Sequence, residues 1–101
     1  MVTDEQLEFY DTNGYLQLES FIDATWMAEL RAASDDFIEQ SRSLDASNRR
    51  FDLEPSHTAQ APRLRRLVSP VDIHPTFNRL AFEGPVAELA MRILGGPVRF
   101  H

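Results

Sequence analysis

Four short stretches have strand character, Tyr15–Glu19, Arg50–Leu53, Leu64–Val68 and Pro97–His101, and no tight-turn signal joins any two of them. This scatter constrains the fold more than any other feature of the 101 residues. An isolated pair of short strands is marginal in water, and an unpaired edge invites association. The strands therefore predict partners that local hairpins do not provide. The last of them is the plainest case. Gly95-Gly96 closes a helical pattern, Pro97 opens an extended segment without having to donate an amide, and Val98 and Phe100 alternate with Arg99 and His101 like a strand bordering a core.

Helix signals are stronger. Thr3-Asp4-Glu5-Gln6 has the spacing of a capping box, and Asn13-Gly14 can adopt the left-handed conformation that ends a helix, which predicts a first helix over 4–12. Leu16 and Leu18 then share one face of an extended segment, opposite Gln17 and Glu19. Asp23 is a good N-cap for a second helix over about 24–42. Its apolar positions Trp26, Met27, Leu30, Ala33, Phe37 and Ile38 recur at three- and four-residue steps, and Trp26 and Met27 are assigned to packing. Pro75 suits the first position of a brief third helix, with Asp72 or His74 as its cap. Gly84-Pro85 restarts the pattern for a fourth, lined by Val86, Leu89, Ala90, Ile93 and Leu94.

Between Ser43 and Pro62 the periodicity fails and Ser, Asn, Asp, Pro and Gln accumulate, apart from the strand candidate at 50–53. The stretch reads as a long loop, of the kind that forms lids and binding segments, within a single domain spanning 1–101. No apolar run is long enough to span a bilayer, and the N-terminus lacks a basic region followed by an apolar one; the expectation is a cytoplasmic chain with no membrane partner. A net charge of −6 and a pI near 4.9 oppose nonspecific nucleic-acid binding. The charge divides as −9 over residues 1–45 and +3 over 46–101, so the two halves can attract each other. With no cysteine there is no disulfide and no thiolate metal site.

Local motifs for chemistry are absent. His57, His74 and His101 form no His-x-Asp or His-x-Glu and no pair four apart. Asp72-Ile73-His74 has ligand types in reverse order, but helix capping explains it. No serine sits in a Gly-x-Ser-x-Gly turn, and no glycine-rich phosphate loop opens a helix. Arg63, Arg65 and Arg66 form a small basic cluster, read as solvated charge or as partners for the acidic N-terminal half.

Three stretches taken together resemble the N-terminal third of phytanoyl-CoA dioxygenase-like proteins. They are Thr3–Tyr10 leading to Asn13-Gly14-Tyr15-Leu16-Gln17-Leu18, then Ser69–Phe77, then Ile93-Leu94-Gly95-Gly96-Pro97-Val98-Arg99-Phe100-His101. The resemblance covers essentially the whole chain. It implies an α+β fold in which helices one, two and four form a layer outside a double-stranded β-helix, or jelly-roll, whose main strands are not in this chain. It also implies an oxygenase that uses Fe(II) and 2-oxoglutarate on a small-molecule substrate. In that family a His-x-Asp pair and a distal His hold the iron. None of those positions falls within these residues, so the resemblance places them beyond His101. No catalytic, cofactor-binding or metal residue is expected in this chain, which alone is expected to be inactive. His57 and His101 are weak substrate-side candidates. The alternative is a non-catalytic α+β interaction module derived from the same region. A third possibility is a small metalloenzyme built on unrelated His and carboxylate positions. Unpaired strand edges predict self-association.

Overall fold

A computed structural model describes residues 2–101; Met1, part of the single-domain span expected from sequence, lies outside the described residues. The elements are α1 (Asp4–Asn13), α2 (Ala24–Ser41), β1 (Phe51–Leu53), β2 (Leu64–Leu67), a 3₁₀ turn (Pro70–Asp72), α3 (Pro75–Glu83) and α4 (Pro85–Leu94). The result is a small α+β arrangement of helices and a two-stranded antiparallel sheet. No helix among the described residues is long and apolar enough to cross a membrane.

The helix boundaries follow the local chemistry. At α1 the capping box is complete: the Gln6 N–H donates to Thr3 Oγ1 at 3.2 Å, and the Thr3 N–H donates to Gln6 Oε1 at 2.8 Å. Gly14 ends the helix at φ 79°, a conformation that costs glycine nothing. The Trp26 N–H donates to Asp23 Oδ1 at 2.8 Å, starting α2 as expected. The α3 cap is His74, not Asp72: its Nδ1 accepts from the Thr76 N–H at 3.1 Å. Gly84 ends α3 and begins α4, and a Cβ there would collide with the Leu80 carbonyl.

Two strand expectations hold and two do not. β1 and β2 pair antiparallel, Phe51 opposite Leu67 and Leu53 opposite Leu64, despite the absence of a turn signal between them. The ten-residue connection closes through its own hydrogen bonds. The Glu54 N–H donates to the Arg63 carbonyl at 2.9 Å, and the Thr58 N–H to the Ala61 carbonyl at 3.2 Å. Residues 15–19 and 97–101 are not strands, because no strand among the described residues lies beside them to form a ladder. At 15–19 the alternation survives without the ladder: Leu16 and Leu18 are half-buried while Gln17 and Glu19 are exposed. At 97–101 it does not, and Val98, Arg99, Phe100 and His101 are all exposed.

The core is small and lies at one corner. Phe37 from α2 and Phe51 and Leu53 from β1 are buried, with Leu44, Leu64, Leu67 and Phe77 packed around them. Phe37 meets Phe51 edge-on at 6.3 Å between ring centroids, and the His74 ring at 5.4 Å. Ser41, fully buried, donates its hydroxyl to the Ile38 carbonyl at 2.6 Å, so it enters the core without an unpaired polar atom. The packing expected of Trp26 and Met27 is partial. Trp26 is half-buried beneath the Arg79 guanidinium, 4.7 Å from the ring centroid, whereas Met27 is exposed, as is Ile38. The radius of gyration is 17.3 Å and the long dimension 50 Å, against about 13 Å expected for a compact domain of this length. The chain is therefore elongated, with α1 and α4 contributing no side chain to the corner cluster.

Candidate functional site

The electrostatic attraction between the two halves takes specific form. Arg79 on α3 pairs with Glu29 on α2, and Arg92 on α4 donates to the Val2 carbonyl at 2.6 Å and lies 3.5 Å from Asp4 at the start of α1. These links join α3 to α2, and α4 to the N-terminal residues.

The arginine cluster has different partners from those expected. Arg65 Nε and Nη2 donate to the two Glu54 carboxylate oxygens at 3.2 and 3.3 Å, and Arg66 Nε donates to Asp52 at 2.9 Å. Asp52 lies on the facing strand and Glu54 just past its end, so both carboxylates belong to the same hairpin and not to the acidic N-terminal half. Antiparallel pairing explains this, because cross-strand neighbours on one face stand within reach while the helices do not. The hydrogen bonds it donates to Glu54, and then the charges of Glu54 and Asp52, raise the pKa of the Arg65 guanidinium above its ordinary value. Two of the three cations are thus paired within the hairpin.

The histidines are held apart in role. His57 is half-buried in the loop between β1 and β2. Its Nδ1 accepts from the Arg63 N–H at 2.9 Å, and Nε2 lies 3.0 Å from the Ser41 carbonyl. While those bonds stand, neither nitrogen is free for a ligand. His74 caps α3 with Nδ1, and its Nε2 is 3.9 Å from Asp36. His101 is exposed at the end of the 98–101 segment. The two sequence candidates, His57 and His101, are not joined by any hydrogen bond among the described residues. Nor do any three His, Asp or Glu side chains among the described residues converge as a metal site requires. These residues therefore do not fit the iron centre that the family resemblance implies.

One open feature is markedly apolar. A groove of about 510 Å³ runs between α3, α4 and residues 98–100, with Leu80 and Ala90 in its lining and Phe82, Val86 and Phe100 more than half exposed along it. Leu94, at the end of α4, is 72% exposed. Arg99 is the one charged residue in the lining. The sequence signal for this surface was the apolar periodicity of α4, which marked a buried face without saying what would bury it. A second, more polar recess of about 330 Å³ lies between α1 and α4, beside Glu19, Glu88 and Arg92. Compared with family models, curated proteins and solved structures, the chain matches none.

Proposed function

We propose that this chain is the N-terminal support region of a phytanoyl-CoA dioxygenase-like oxygenase dependent on Fe(II) and 2-oxoglutarate. Its helices brace a jelly-roll that supplies the iron ligands and acts on a small organic substrate. The observation that carries this reading is the apolar groove of α3, α4 and residues 98–100. An α4 whose periodic face is left open, with Leu94 mostly in water, is the geometry of a helix that packs against another layer. The resemblance of the three motif stretches supplies the identity proposed for that layer. Under this reading His57 and His101 contribute at most to the substrate side, and no step of the chemistry runs through them.

The competing reading is a non-catalytic α+β interaction module that associates with itself or a partner. Its support is the corner around Phe37, Phe51 and Leu53, a core closed without any further layer. One pair of measurements separates the readings. The gene product in full should contain a His-x-Asp segment and form succinate from 2-oxoglutarate when supplied with Fe(II), while the 101-residue chain alone forms none. A gene product lacking that segment, or turnover by these 101 residues alone, overturns the oxygenase proposal.

A further inference from the structure

His57 is the point at which three parts of the molecule meet: the C-terminal turn of α2, the start of the loop after β1, and the residue that leads into β2. The Ser41 carbonyl can only accept, so the ring nitrogen facing it, Nε2, carries a proton. The Arg63 N–H can only donate, so Nδ1 is bare. The two contacts together specify the neutral Nε2–H tautomer, and they leave no place for a second ring proton.

We propose that His57 is a proton-operated clasp on the 57–63 loop. In the neutral form it closes the loop by accepting the Arg63 amide. When Nδ1 takes a proton from solvent, two donors face each other and that bond is lost. The bond from Nε2–H to the Ser41 carbonyl becomes charge-assisted and strengthens, so the ring stays on α2 while the Arg63 amide is released, the Arg63 carbonyl still accepting the Glu54 N–H. Opening leaves no buried group unpaired. Arg63 is exposed and its N–H passes to water, and the Ser41 carbonyl still receives the Leu44 N–H at 3.0 Å. The transition is therefore local.

Of the charged groups on the elements that meet at the ring, four are paired with one another. On α2, Glu39 and Arg42 pair at 2.9 Å, and Arg42 also donates to the Ala59 carbonyl at 2.6 Å. On the hairpin, the Glu54 carboxylate is held by Arg65, and the Glu54 carbonyl accepts the His57 N–H at 2.9 Å. Arg63 contributes its main chain. His74 offers an internal comparison, since its Nδ1 likewise accepts a main-chain amide. Its ring, however, packs edge-on against both Phe37 and Phe77, and Asp36 faces its other nitrogen. This inference does not depend on the oxygenase reading.

The test is nitrogen NMR of the imidazoles together with amide hydrogen exchange on the full chain, from about pH 8 to 5, the interval in which imidazoles ordinarily charge. At the upper end His57 should show the Nε2–H tautomer. As its ring titrates, the Arg63 amide should lose about tenfold in protection beyond the intrinsic change, the worth of one ordinary hydrogen bond. The Gly14 amide, bonded to the Tyr10 carbonyl at 2.8 Å far from any histidine contact, should not follow. His57→Gln, which cannot titrate, should make Arg63 protection flat across the range, and His74→Gln should leave the transition in place. An Nδ1–H tautomer, Arg63 protection unmoved while His57 titrates, or the same acid response in His57→Gln each overturns the clasp. Should His57→Gln fail to fold, the wild-type tautomer and the coincidence of the two titrations decide alone.

Discussion

The corner where α2, the hairpin and α3 meet and the face shared by α3 and α4 are built from the same kinds of side chain. In the corner, Phe37, Phe51 and Leu53 are each less than a tenth exposed, because helix, strand and loop approach from different directions. On the α3–α4 face, Phe82, Val86 and Phe100 are more than half exposed, because two adjacent helices and an extended segment cover only one side of one another. Apolar content is not what distinguishes them. The number of layers is, since one helix pair cannot enclose the stripe it presents. The corner should therefore govern stability, and the open face should govern what the chain adheres to.

Phe37→Ala should break the corner most severely, with a loss of about 3–5 kcal/mol, read as the shift in a denaturant transition; a loss under about 1 kcal/mol would place the core elsewhere. Gly84→Ala tests the joint between the two regions. Its Cβ would press on the Leu80 carbonyl at a buried position, and a loss of about 1–3 kcal/mol is expected from the resulting backbone shift. Asp23→Ala removes the acceptor for the Trp26 N–H and should cost about 1 kcal/mol, seen as fraying of the first turn of α2 in amide exchange. Leu94→Gln on the open face should change stability by no more than about 0.5 kcal/mol, while lowering the fluorescence of a dye that binds apolar surface. A loss comparable to that of Phe37→Ala would show that α4 is enclosed after all.

The histidines divide along the same line between what sequence shows and what it hides. The capping role of the 72–74 segment was legible, because Pro75 marks a first helical position and the residues before it are the ones that can accept from free amides. That His57 clasps Arg63 to Ser41 was not legible. His57 lies sixteen residues from Ser41 along the chain, and only the docking of the hairpin on the end of α2 brings them together. The pairing of Arg65 and Arg66 with Glu54 and Asp52 was hidden for the same reason. The attraction of opposite charges was plain in the composition, but which carboxylates are near was decided by strand register.

By itself the sequence determined everything that depends on a few consecutive residues. The capping box at Thr3, the N-cap at Asp23, the left-handed stops at Gly14 and Gly95 and the proline starts of α3 and α4 all satisfy main-chain groups within one turn of helix. Tertiary structure alone decided which extended segments became strands. Arg50–Leu53 and Leu64–Val68 contain the strands that found each other, whereas Tyr15–Glu19 and Pro97–His101, with comparable local character, have no ladder. A strand is completed by hydrogen bonds to a neighbour, and no stretch of chain can encode the neighbour it will meet.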